Sequence, residues 1–158
     1  MNLTDLLIDS INWKEVYVLR GSGEDLANSL RRFVRARSAD EAASLWEEFE
    51  GVAFAQDTIY GGAVPVVDVM LAMLADQPAD FLRPWVVEVL RFILVGDSDS
   101  DPSLRIECLH RAETGRWLLA AEACRTDLGD YRDALIEVLG VIDKDFGRIV
   151  ASATMMQK

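Results

Sequence analysis

Three carboxylates at alternating positions form the first pattern that could do chemistry. Asp97, Asp99 and Asp101 have the spacing at which a calcium-binding loop begins, where side-chain oxygens would coordinate the ion. The rest of that loop is missing, because its sixth position is Pro102 where the sharp turn needs glycine, and its twelfth is Cys108 where a bidentate glutamate is needed. The segment therefore predicts a polar loop, and we expect no metal site.

Residues suited to catalysis are sparse. His110 is the single histidine, and it lies in a segment with helical periodicity, where one imidazole without defined partners is usually structural. The chain contains no Gly-Lys-Ser/Thr phosphate loop and no dinucleotide-binding fingerprint. A small enzyme that uses carboxylates is an alternative interpretation. The sequence favours a protein that is not an enzyme and has no cofactor.

Charge is distributed unevenly along the chain. The sequence has 27 acidic and 16 basic residues, a formal net charge of −11, and no lysine or arginine lies between Arg37 and Arg83. On a helix, Glu47, Glu48 and Glu50 would lie away from the apolar stripe of their segment, so we expect them to face solvent together. The acidic residues of this interval are Asp40, Glu41, Glu47, Glu48, Glu50, Asp57, Asp68, Asp76 and Asp80.

This acidic interval predicts a surface for a basic protein partner. Like charges held together repel one another, and a basic partner would relieve the repulsion while being steered to the site. Aromatic side chains beside the carboxylates would act as anchors. A solvated acidic face without a partner is the alternative interpretation. The predicted partner-binding residues are Glu47, Glu48, Glu50, Asp57, Tyr60, Asp68 and Trp85.

The acidic balance excludes two other classes of partner. Nucleic acids and anionic membrane surfaces attract basic patches, so we expect no direct binding to either. The basic cluster from Arg31 to Arg37 lies toward the end of a predicted helix, where cations are favourable, so it predicts a solvated helix face. No apolar run approaches the ~20 residues that cross a membrane, and no basic residue marks the start of a secretory signal. We therefore expect a cytoplasmic protein.

Helical periodicity supplies the elements that would position these residues. Apolar residues recur at helical spacing after Leu26, and a second amphipathic segment runs from a capping serine, Ser38, to Gly51. Pro65 and Pro84 open two further helices. The helix after Pro65 is apolar on nearly all sides, which predicts a central position in the fold.

The spacing of these helices predicts the fold class. Adjacent pairs, 25–50, 64–95 and 104–143, follow one another at about 40 residues, with a break in the long segment near Gly115. We predict an all-α fold, a HEAT or armadillo-like stack of helix pairs, with an irregular helical bundle as the alternative. Residues 1–150 would form one helical domain, and residues 151–158 would form a flexible C-terminal tail.

Residues 46–65 resemble a group of bacterial HEAT-repeat-like proteins. The likeness runs through Gln56-Asp57-Thr58-Ile59-Tyr60 and the Val64-Pro65 pair that starts an apolar helix. In that group, a loop of the form His-Gln-Gly-Thr-x-Tyr precedes the Val-Pro pair. Here Ala55 takes the place of the histidine and Asp57 that of the glycine.

The resemblance implies a protein-binding role, because some members of the group accompany secreted bacterial toxins as their immunity partners. We therefore expect an acidic interaction protein, an immunity protein that neutralises a cognate basic toxin such as a nuclease by occluding its active site. A self-associating helical scaffold without catalytic activity is the alternative. The loop also has a purely structural interpretation, since Ile59 and Tyr60 can cover the end of the core.

Overall fold

A computed structural model describes residues 2–55, 58–95 and 101–157. In these ranges the chain forms nine α-helices, one 3-10 helix (Trp13–Glu15) and one two-stranded antiparallel sheet, which confirms the all-α prediction. The strands are β1 (Phe54–Ala55) and β2 (Thr58–Ile59). The helices are α1 (Leu3–Ser10), α2 (Gly23–Val34), α3 (Ala39–Phe49), α4 (Ala63–Ala75), α5 (Arg83–Val95), α6 (Pro102–Glu113), α7 (Arg116–Arg125), α8 (Gly129–Ile142) and α9 (Lys144–Met155).

Local hydrogen bonds set the bounds of α3 as the sequence predicts. Ser38 is the N-cap residue, and its side chain accepts a 3.1 Å hydrogen bond from the backbone N–H of Glu41. The Glu41 carboxylate accepts its own hydrogen bond from the N–H of Arg37, at 2.8 Å. Gly51, just past the helix, has φ +87°, a left-handed conformation that glycine adopts without a steric penalty.

Helix α4 lies at the centre of the fold, as its apolar sequence predicts. Ten of its thirteen residues are buried, and it packs against α1, α5, α6 and α7. Each fully buried valine, leucine or methionine contributes ~1.5–3 kcal/mol relative to exposure. The approach of α7 is close, because a Cβ added at Gly115 would lie 2.6 Å from Cδ2 of Leu71.

The other helices pack around a central pair, α4 and α5. Helix α4 packs against α1 and α6, α5 packs against α3 and α8, and α4 and α5 pack against each other. Both predicted forms of the fold, a stack of helix pairs and a helical bundle, are compatible with this arrangement. The predicted pair 104–143 contains three helices, because the helical segment is interrupted at Thr114 and Gly115. Helix α7, which follows the interruption, packs on α8 and α9.

The C-terminal segment differs from the predicted flexible tail over most of its length. Residues 151–155 are the last turns of α9, and Val150 and Thr154 are buried. The predicted boundary at residue 150 therefore falls inside a helix. No helix among the described residues has the length and apolar character needed to span a membrane.

Two predicted loops lie partly outside the described residues. Gln56 and Asp57, in the loop that resembles the HEAT-like group, are not among the described residues. Nor are Asp97 and Asp99, in the polar loop before α6. Asp101, which is described, caps α6, since its side chain accepts a 3.0 Å hydrogen bond from the N–H of Ser103.

Candidate partner-binding face

The solvent side of α3 carries acidic residues, as its periodicity predicts. The opposite side of the helix is buried, and Phe49 packs edge-on against Phe33 of α2 with ring centroids 5.1 Å apart. Glu47 and Glu48 are exposed on the other side, and Glu50 is exposed at the end of the helix. The position of all three follows from the burial of the aromatic side.

Glu48 differs from the prediction because it is paired within the chain. Nη1 of Arg32 lies 3.1 Å from both oxygens of the Glu48 carboxylate, and Oγ of Ser29 donates to it at 3.0 Å. The Arg32 and Glu48 side chains are 64% and 40% exposed, so solvent screens the pair and it contributes at most about 1 kcal/mol. Glu47 and Glu50 have no side-chain partner among the described residues.

A groove of about 390 Å³ lies between α2 and the segment that follows α3. Its lining includes three acidic residues, Asp25, Glu48 and Glu50, and one basic residue, Arg20. Asp25 is already engaged, because its carboxylate accepts hydrogen bonds from Ser22 that cap α2, at 2.9 and 3.0 Å. The groove is acidic, and Glu50 is its carboxylate without a described partner.

A pair of tyrosines, Tyr17, which is exposed, and Tyr60, which is partly buried, lies on segments hydrogen-bonded to this part of the chain. The rings of Tyr17 and Tyr60 lie 6.5 Å apart with an interplanar angle of 49°. Backbone hydrogen bonds bring their segments together, since the N–H of Gly62 donates to the carbonyl of Tyr17 at 2.7 Å. The N–H of Leu19 also donates to the carbonyl of Val52 at 2.9 Å. Leu19, two residues after Tyr17, therefore lies beside Val52, two residues after Glu50. We call Glu47, Glu48, Glu50, Tyr17 and Tyr60 the acidic face.

Tyr17 is a member of this face that the sequence prediction omitted. The sequence contained a signal for it, the short extended segment Val16-Tyr17-Val18, in which alternate side chains point to opposite sides. In the structure Val18 is 8% exposed and Tyr17 is 68% exposed. The segment has no hairpin partner in sequence, so only the tertiary contacts place it beside Tyr60.

Two predicted site residues have other contacts. Asp68 lies at the junction of α4 and α6, where its carboxylate pairs with Arg111 at 2.9 Å and its side chain is 22% exposed. Burial raises the pKa of Asp68, and the Arg111 charge offsets part of that rise. Trp85 is half-buried against the core in the first turn of α5. Asp57 lies outside the described residues, so the acidic face is defined without it.

A buried polar cluster that joins α5, α7 and α8 was also absent from the predicted site. The Glu122 carboxylate accepts hydrogen bonds from Arg83 and Arg125 and from the hydroxyl of Tyr131. Burial, together with the charge of Glu122, raises the pKa of the Tyr131 phenol. These residues come from three helices, and although Glu122 and Arg125 are three positions apart on α7, no sequence spacing connects them to Arg83 or Tyr131.

Neither metal-binding geometry nor similarity to known proteins identifies a function. No group of three or more histidine, cysteine or acidic side chains in residues 2–55, 58–95 and 101–157 is arranged to hold a metal ion. The chain matches no protein-family model, no curated protein and no solved structure. Function is therefore inferred from the charge, exposure and contacts of this chain's own residues.

Proposed function

We propose that this chain is an acidic interaction protein of the immunity type, which neutralises a cognate basic bacterial toxin by occluding its active site. The observation that carries the proposal is the acidic face. Glu47 and Glu50 are exposed without a counter-ion among the described residues. The segment of Tyr17, whose ring lies 6.5 Å from that of Tyr60, is hydrogen-bonded to the chain that follows Glu50. The resemblance of residues 46–65 to HEAT-like immunity proteins supports the same role.

Occlusion follows from charge complementarity. A nuclease toxin binds the phosphates of its substrate in a cationic cleft, and exposed carboxylates can occupy such a cleft in place of phosphate. Glu47 and Glu50 would enter it first, and Glu48 could exchange the exposed Arg32 for a basic side chain of the toxin. Tyr17 and Tyr60 would supply aromatic anchors at the edge of the contact.

The proposed role requires a cytoplasmic location and a protein as the direct partner. The protein would act in the cytoplasm, where a nuclease toxin finds its substrate. It would bind neither nucleic acid nor an anionic membrane directly, because its net charge of −11 repels both. No catalytic role and no cofactor are part of the proposal.

Growth protection tests the immunity role. The gene of the cognate toxin is expected beside the gene of this chain, and co-expression of the two should restore growth that the toxin alone abolishes. Glu47→Lys combined with Glu50→Lys should remove protection, because the face would then repel a cationic cleft.

The matched control is Asp133→Lys combined with Asp145→Lys. Both residues are exposed, on α8 and α9, and the change in net charge is the same. This control should still protect. Failure of the unchanged protein to protect would contradict the immunity role, and equal protection by the two double variants would contradict the acidic face.

An exposed apolar patch favours the self-associating scaffold as a second candidate. Trp117 of α7 is 65% exposed and packs edge-on against Phe146 of α9 with ring centroids 4.8 Å apart, and Ile149 is also 65% exposed. Light scattering distinguishes the candidates. A scaffold should form an oligomer that Trp117→Ser dissociates, whereas a monomer at all concentrations would remove this candidate.

A further inference from the structure

A cavity of about 460 Å³ lies among α5, α7 and α8, on helices that do not form the acidic face. Cavities of roughly 300–1,000 Å³ that combine an apolar wall with a few convergent polar groups are typical of small-molecule sites. The lining residues are Asp80, Arg83, Glu122, Arg125, Thr126, Asp127, Leu128 and Tyr131.

Glu122 forms a fully bonded anion in the wall of this cavity. Its side chain is 3% exposed. Oε1 accepts from Nη1 of Arg83 at 2.8 Å and from Nη2 of Arg125 at 2.7 Å, and Oε2 accepts from the hydroxyl of Tyr131 at 3.0 Å. With these bonds made, Glu122 neutralises one of the two arginines and holds both in place.

The charge of Arg83 has one further partner, Asp80, and this pair is weak. Oδ1 of Asp80 lies 3.4 Å from Nε of Arg83, but the Asp80 side chain is 99% exposed. Nε of Arg83 is buried and makes no hydrogen bond to any described residue. A buried donor without an acceptor is costly and uncommon in folded proteins. The site therefore combines a buried anion, Glu122, with the largely buried Arg83, the half-exposed Arg125 and an unused donor on Arg83.

The part of the cavity at the start of α8 suits a ligand that carries both an apolar group and a negative charge. Leu128 is 59% exposed at the N-cap position of α8, where its side chain supplies no acceptor for the first N–H groups of the helix. A helix N-terminus without a side-chain cap favours an anion nearby. The side chains of Leu128 and Tyr131 give the cavity its apolar surface.

We propose that this cavity binds a small organic carboxylate, whose anionic group replaces Asp80 beside Arg83 and whose apolar body packs against Leu128 and Tyr131. Guanidinium groups bind carboxylates with two parallel hydrogen bonds, which Nε and a terminal nitrogen of Arg83 would supply. Asp127 at the rim disfavours ligands with several negative charges, so the site takes a monoanion.

Two probes of the same shape and opposite charge test the ligand class. Benzoate and benzamidine are titrated into the protein, and backbone amide resonances are followed by NMR. Benzoate should shift the resonances at the starts of α5 and α8 with saturation, and benzamidine should not. Benzamidine binding at these positions, or no saturable shift with benzoate, would overturn the proposal.

Two variants test the assigned residues, and the amide spectrum of each shows whether its fold is retained. Asp80→Asn removes the exposed competing carboxylate and should tighten benzoate binding by about threefold or more. Arg125→Gln removes a cation while Arg83 and Tyr131 still hold Glu122, and should weaken binding by about tenfold. An unchanged benzoate affinity in Arg125→Gln would overturn the proposal.

Arg148→Gln is the control for general charge effects. Arg148 is exposed on α9 and does not line the cavity. Benzoate affinity should be the same in this variant as in the unchanged protein. A loss equal to that of Arg125→Gln would show that net charge, not the cavity, determines binding.

Discussion

Glu122 carries the most deeply buried charge among the described residues, with a residue exposure of 2%. Its carboxylate joins Arg83 at the start of α5, Arg125 at the end of α7 and Tyr131 in α8. A buried ion is tolerated only when its hydrogen bonds are made, and removal of one partner leaves the others uncompensated. The three helix ends thus depend on one side chain.

Replacement of Glu122 should therefore destabilise the fold. Glu122→Gln should lower the free energy of unfolding by roughly 3 kcal/mol, because it leaves the buried guanidinium of Arg83 without its counter-ion. Urea denaturation measures the loss. Glu107→Gln is the matched control, because Glu107 is half-exposed and its Oε1 forms a weak ion pair with Nη2 of Arg111, at 3.7 Å. This substitution should lower the free energy of unfolding by under about 1 kcal/mol. Equal losses in the two variants would contradict the assigned role of the cluster.

Asp76 is a second residue whose charge acts across the fold. Its carboxylate accepts hydrogen bonds from the N–H groups of Leu3 and Thr4, at 3.1 and 2.8 Å, at the N-terminus of α1. Burial alone would raise the pKa of Asp76, but the hydrogen bonds from Thr4 and Leu3 outweigh it and hold the pKa below its usual 3.8.

The lowered pKa of Asp76 predicts a pH-dependent contribution to stability. A carboxyl group with a lower pKa in the folded state stabilises the fold above its unfolded-state pKa, and this contribution is lost as pH falls through the folded-state pKa. Asp76→Asn should cost about 1 kcal/mol at neutral pH, as a helix cap does. Denaturation curves of the two proteins should converge at acid pH. A constant difference at every pH would contradict the ionised cap.

At the scale of elements, α8 and α9 pack backbone against backbone. A Cβ added at Gly147 of α9 would lie 2.8 Å from the backbone N and Cα of Gly140 in α8. A Cβ added at Gly140 would meet nothing within 4 Å. The contact thus requires glycine on α9 and tolerates a side chain on α8.

Alanine substitution separates these two glycines. Gly147→Ala should destabilise the protein by about 1–3 kcal/mol, because the backbone of α8 must shift to accept the methyl group. Gly140→Ala should stabilise it by up to about 1 kcal/mol, because alanine favours the helix interior. Thermal unfolding followed by circular dichroism measures both. Stabilisation by Gly147→Ala would show that the two helices are not in close contact.

The elements differ in how far sequence could predict them. Helices α2, α3, α4 and α5 were predictable, because their apolar periodicity and their caps at Ser22 and Ser38 are local signals. The β1–β2 hairpin was not predicted, because two-residue strands carry no alternation. The sequence predicts a tail from residue 151 where the last turns of α9 lie, because the buried residues of this helix, Gly147, Val150 and Thr154, include few large apolar side chains.

At the scale of the whole molecule, the net charge is −11, but several carboxylates of the acidic interval are paired or hydrogen-bonded inside the chain. Several residues of the acidic interval have internal roles, since Asp68 pairs with Arg111, Glu48 with Arg32, and Asp76 caps α1. These contacts join residues 16 to 72 positions apart, so sequence spacing could not show them. The exposure of Glu47 and Glu50 was predictable, because it follows from the periodicity of one helix.

The central claim, that the acidic face binds a basic protein, is tested most directly by affinity capture from the native host. The tagged protein, the Glu47→Lys/Glu50→Lys variant and the Asp133→Lys/Asp145→Lys control are used as baits, and bound proteins are identified and quantified by mass spectrometry. We predict one strongly basic protein on the unchanged bait and on the control, lost from the Glu47→Lys/Glu50→Lys variant. Recovery of no basic protein, or its full retention by that variant, would contradict the claim.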